Sequence, residues 1–172
     1  MKKYWLAFSL VIIISFAVLG WIGVRIYQEA PPMPEKVVTK AGNVIFTRED
    51  IEKGQNVWQA MGGMESGSVW GHGSYVAPDW TADWLHREAV LVLDLWAMDE
   101  DSTKYENLSD EKKASLQARL TNSFRTNTYN PSTGIITLDN VREKAIEENI
   151  QHYTEVFSNG KDEYAIRANS LT

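Results

Sequence analysis

From Tyr4 to Val24 the chain carries no charge, and only Ser9 and Ser15 interrupt the apolar run. At about 1.5 Å per helical residue the run covers roughly 30 Å, the thickness of a bilayer core. Pro31, Pro32 and Pro34 follow and cannot continue a helix, which predicts an extended stalk. Val37-Val38-Thr39 and Val44-Ile45-Phe46 flank a Gly/Asn turn and read as a β-hairpin. Thr47, with Asp50 three residues on, resembles a capping box that opens a helix over Arg48 to Met61, with Ile51, Gly54 and Trp58 on one face.

Between Gly62 and Pro78 no helical or strand period survives: five glycines alternate with Met64, Val69, Trp70, His72 and Tyr75. This pattern predicts a structured loop in which Trp70 and Tyr75 need burial or a partner surface. A helix starting at Pro78 or Asp79 and reaching about Asp99 is apolar almost all round from Ala89 to Met98, the mark of a core element. The stretch from Leu91 to Asp101 is too short for a second span, and Asp94 interrupts it. Ser109 is placed to cap a helix to Arg125 that buries Leu116, Leu120 and Phe124. A second hairpin is predicted across Tyr129 to Leu138, then an Asp139-capped helix through Asn159 that stops at Gly160. Lys161 to Thr172 carries a short helical pattern.

Charge gives the long apolar run a direction. Lys2 and Lys3 precede it, and acids dominate beyond it, which favours an N-terminus in the cytoplasm and the remaining chain outside. No small-x-small cleavage pattern follows, so an uncleaved anchor is favoured over a signal peptide. From residue 31 onward 22 acids face 14 bases, a balance that repels nucleic acid and anionic lipid. The chain contains no cysteine, which excludes C-x-x-C-H haem attachment, thiolate metal sites, disulfides and a Cys nucleophile.

His72, His86 and His152 are the only histidines and lack the i, i+3 or i+4 spacing of a helical metal pair, so structural roles are favoured. Asp79 and Asp83 stand at i, i+4 as an acid/base pair would, but carboxylates in a first helical turn are expected from the macrodipole, and the cap reading is preferred. No nucleophile elbow, P-loop, dinucleotide fingerprint or EF-hand loop occurs. Five of the seven Trp fall between Trp58 and Trp96, which serves either core filling or a docking face.

Gly54-Gln55-Asn56-Val57-Trp58-Gln59, Gly62-Gly63-Met64 and the run from Trp70 through Gly71-His72-Gly73-Ser74-Tyr75-Val76-Ala77-Pro78-Asp79-Trp80 to Glu88 resemble the amino-terminal part of quinol-dependent nitric oxide reductases. The likeness extends over the apolar run, Tyr129-Asn130-Pro131 and the Asn159 to Ala165 stretch. It implies a mostly α chain: one N-terminal transmembrane helix plus a cytochrome c-like helical outer domain with small β-hairpins. The implied divisions are 1–30 for the cytoplasmic N-terminus and anchor, 31–36 for the Pro-rich stalk, and 37–172 for a haem-free, periplasmic or extracellular domain on a bacterial or archaeal membrane.

In the family this region covers a haem–copper-oxidase-like catalytic core, and the complete enzyme uses haem b, non-haem iron and calcium to reduce two nitric oxide molecules to nitrous oxide. The resemblance implies that the Gly73 carbonyl and Tyr75 contribute to a calcium site at the junction with that core. No catalytic residue and no haem or iron ligand of the family is expected in this chain. Trp58, Met64 and Trp70 are expected to fill the space of the missing haem. A stand-alone partner-binding or assembly module, and a superfamily relative that disproportionates nitric oxide, are the alternatives.

Overall fold

A computed structural model describes residues 2–71 and 78–169. The chain divides into two units, Met1–Met33 and Pro34–Thr172. The first is a single helix, α1 (Lys2–Glu29), long and apolar enough to cross a membrane and with no buried residue. An Arg25–Glu29 ion pair of 2.5 Å lies in its last turns, where the apolar run has ended.

The second unit opens with β1 (Lys36–Thr39) and β2 (Val44–Thr47), the predicted hairpin, with an irregularity between Val37 and Val38. The Thr39 hydroxyl, in a residue buried to 2 % exposure, accepts the Asn43 N–H and closes the turn. Thr47 and Asp50 form the capping box: each side chain accepts from the other's backbone N–H, and α2 (Arg48–Ala60) follows. The predicted second hairpin is β3 (Tyr129–Asn130) with β4 (Ile135–Leu138). The two hairpins are joined in one sheet, a pairing on which the sequence was silent. β1 and β4 pair in parallel, Lys36 with Ile135 through Thr39 with Leu138, to give one sheet of order β2-β1-β4-β3. Parallel neighbours need a long crossover, and α2 and the following helices supply it.

Three long helices build the core. α3 (Trp80–Asp101) lies against α4 (Asp110–Arg125) and α5 (Asn140–Asn159). Val92, Leu93, Trp96 and Ala97 of α3 meet Leu108, Leu116 and Ala145, with Leu120 and Phe124 partly buried around them. The apolar stretch Ala89 to Met98 is therefore central, although Val90 and Met98 face outward. Asp94, the polar break in that stretch, accepts the Tyr105 N–H at 2.9 Å and anchors the connection to α4.

Two predicted caps differ in detail. Ser109 and Asp139 occupy the N-cap positions of α4 and α5, yet neither side chain bonds the helix backbone. Asp139 instead forms an ion pair with Lys40 in the first hairpin turn, and Asn43 donates to Glu143 at 3.0 Å, so the turn is fastened to α5 by side chains. Gly160 ends α5 at φ 76°, as its position predicted. Beyond it, Asp162–Tyr164 is a single 3-10 turn rather than an α-helix, closed by reciprocal bonds between Lys161 and Ile166.

Candidate docking site

The segment between α2 and α3 is held by close backbone approach. Gly63, in the 3-10 turn Gly63–Glu65, lies on the Trp58 ring, and Gly67 lies on the Trp80 indole. A Cβ at either glycine would overlap the neighbouring ring, which explains why this loop needs glycine there. Ser68 then bridges to the start of α3: its N–H donates to the Pro78 carbonyl at 2.9 Å, and its carbonyl accepts the Trp80 N–H at 2.9 Å.

Asp79 is the centre of this arrangement. One carboxylate oxygen accepts the Ala82 N–H at 2.8 Å and caps α3. The other accepts the Ser68 hydroxyl at 2.8 Å and the Gly71 N–H. The cap and these loop bonds hold the Asp79 carboxyl below its ordinary range, the Ala82 N–H contributing most. Trp70 donates its N–H to the Thr81 hydroxyl at 3.0 Å. Gly71 and Pro78 are thus secured on either side of residues 72–77. Gly73, Tyr75 and His72 lie outside the described residues.

Trp70 has φ 57° and is 75 % exposed. A bulky residue in the left-handed region costs about 1–2 kcal/mol, and here the bonds to Thr81 and Asp79 sustain it. Met61, Met64 and Val69 are exposed in the same segment. The expectation that Trp58, Met64 and Trp70 fill an interior space is therefore corrected: only Trp58 turns inward, toward Trp80 and Val156. The Met64 and Trp70 side chains face solvent.

Asp79 and Asp83 do not work as a pair. Asp83 Oδ2 accepts hydrogen bonds from Tyr153 at 2.5 Å and Tyr164 at 3.0 Å, joining α3 to α5 and to the turn after it. Burial and the bond to Asp83 push both phenols above their ordinary value. Trp80 packs on Tyr153, Phe157 and Tyr164, and Trp84 stacks on Tyr153 at 5.4 Å. One turn along α3, Glu88 is 2 % exposed and pairs with Arg142 at 2.6 Å while accepting from Trp84 Nε1 at 3.2 Å. Sequence spacing flagged Asp83 but not its phenol partners, and nothing in the sequence pattern marked the Glu88 pair with Arg142. His86 is exposed and His152 half-buried. Among the described residues no group of three or more His, Cys, Asp or Glu side chains is arranged to hold a metal ion.

These features define a mostly helical domain preceded by a helix long and apolar enough to cross a membrane, with the exposed Trp70 held on the loop between α2 and α3. The family model for the NorB cytochrome c-like domain of nitric oxide reductase matches residues 34–172, and the chain belongs to that family. No curated protein matches the chain.

Proposed function

We propose that this chain is the amino-terminal part of a quinol-dependent nitric oxide reductase, with α1 as its membrane anchor and the helical domain as a haem-free cover on the outer side of the catalytic core. The family match over residues 34–172 carries this reading. Lys2 and Lys3 at the start of α1, ahead of its apolar run, support a cytoplasmic N-terminus and a domain beyond the membrane, on the periplasmic or extracellular side. The proposed divisions are the anchor through residue 30, the stalk 31–36 and the domain from 37.

The loop around Trp70 is the proposed contact with the core. An exposed indole on a backbone already fixed by Asp79 and Thr81 loses little freedom on docking, and Trp is favoured as a binding anchor. The Gly73 carbonyl and Tyr75 are proposed as oxygen donors to calcium at that junction, a donor type suited to a hard cation. Asp79 is not offered as a further ligand, since both its oxygens serve the cap and the loop. Haem b and non-haem iron would belong to the core and supply the redox chemistry there; this chain's residues cover, orient and exclude water.

Reading the gene beyond codon 172 tests the proposal, together with nitric oxide uptake by membranes supplied with quinol. An open frame running into several apolar helices with paired histidines, and quinol-driven uptake that falls on Trp70→Gly, is the expected result. A stop codon at that point refutes the single-chain reading and leaves an anchored partner-binding module. A continuing frame whose product disproportionates nitric oxide without quinol refutes the quinol assignment.

A further inference from the structure

We infer that His152 is a pH-sensitive latch that holds the turn after α5, Lys161 to Asn169, against α3 and α5. Lys161 and Ile166 exchange backbone hydrogen bonds at 2.8 and 3.1 Å, Asn169 donates to the Ser158 carbonyl at 3.0 Å, and Tyr164 donates to Asp83. Ile166 enters the small core of Trp80 and Val156. Lifting this turn exposes Ile166 and the Tyr164 ring that packs on Trp80 and breaks a handful of bonds, a local opening short of global unfolding.

His152 stands where α5 meets that turn, its ring edge-on to Tyr153 at 5.2 Å and to Tyr164 at 6.1 Å. Its Nε2 is buried and has no hydrogen-bond partner among the described residues. The groups that face it are Arg87 and Asp83 from α3, Lys161 and Tyr164 from the turn, and Tyr153 and Glu155 from α5 itself. Arg87 Nε is likewise buried without a hydrogen-bond partner among the described residues. The Asp83 Oδ2 oxygen is already engaged by two phenols.

A neutral imidazole fits this environment, whereas a protonated one adds a charge that the Arg87 and Lys161 cations disfavour, with no acceptor for its buried Nε2–H among the described residues. Burial first, then these two cations, hold His152 below its ordinary value of 6.5. The open form of the turn therefore binds the proton more tightly than the closed form. The closed form is fully favoured above 6.5 and loses its advantage as pH falls through the folded value. With one proton linked, the opening constant rises by up to about tenfold per pH unit within that window.

The test is amide hydrogen exchange on the full chain in detergent micelles between pH 5 and 8, corrected for intrinsic exchange, with a parallel NMR titration of the His152 ring. Protection of the Ile166 and Asn169 amides is expected to fall toward the tenfold-per-unit limit below 6.5, while the Val92 amide in the main core stays flat. His152→Gln is expected to abolish the fall, and His86→Gln to leave it. A wild-type His152 that titrates at or above 6.5, flat protection at Ile166, or an unchanged fall in His152→Gln overturns the latch. The ring titration and the wild-type exchange profile need no variant and together decide the matter even where His152→Gln fails to fold.

Discussion

Replacing Arg142 by Met removes one half of an ion pair that lies almost wholly inside the protein. Glu88 is 2 % exposed, its Oε1 is 2.6 Å from Arg142 Nε, and its Oε2 accepts the weaker 3.2 Å bond from Trp84. The Met side chain would retain contact with Phe124, over whose ring the guanidinium sits at 4.3 Å, so the loss is mainly electrostatic. Leaving a buried carboxylate uncompensated costs about 3–5 kcal/mol, a large part of the roughly 5–15 kcal/mol that stabilises a domain. Removing both charges, in Glu88→Leu with Arg142→Met, is expected to recover most of that and to leave about 1–2 kcal/mol for the stranded Trp84 indole N–H. Urea denaturation of the chain in micelles, followed by tryptophan fluorescence, measures both variants. Glu100→Gln, which breaks the exposed 2.6 Å pair with Arg119, is the control and is expected to cost no more than about 1 kcal/mol. The reasoning is refuted by an Arg142→Met cost as small as the control's, or by a double variant less stable than the single one.

Gly67→Ala drives a methyl group into the Trp80 indole and is expected to lower stability by about 1–3 kcal/mol, read as a drop in Tm; an unchanged Tm would show that the loop does not rest on Trp80. Trp70→Gly relieves the left-handed backbone and should leave the isolated chain as stable or up to about 1–2 kcal/mol more stable by urea denaturation, while weakening docking to the core. Asp79→Ala removes the α3 cap and both loop bonds, so proteolysis between Ser68 and Thr81 should accelerate several-fold with the main core intact. Because the Asp79 carboxyl is held low, wild-type resistance at this loop should persist above its ordinary 3.8 and disappear only as pH falls through the lower folded value.

Local signals account for most of the elements. Helix α2 follows from Thr47 and Asp50, α3 from Asp79 and its apolar run, and α5 ends at Gly160, because caps and stops act over three or four residues and are written in adjacent sequence. The hairpins were equally local, each strand pair lying within ten residues or so of its turn. The fusion of the two hairpins through β1 and β4 was not, since it pairs residues about a hundred positions apart and depends on how the intervening helices pack.

The same division runs through the candidate site. Glycines and a tryptophan in an aperiodic stretch announced a built loop, and chain composition excluded covalent haem attachment, because one missing residue type removes that chemistry in any fold. Which aromatic ring turned inward was decided only in three dimensions. Trp58 found a Cβ-free surface at Gly63, whereas Trp70 was held outward by bonds to α3. Likewise Asp83, Glu88 and His152 carry no local mark of their partners. Tyr153 and Arg142 reach Asp83 and Glu88 only because α3 and α5 lie side by side, Tyr164 reaches His152 only because the turn after α5 folds back on it, and burial there turns ordinary surface-type residues into groups whose charge state matters to the fold.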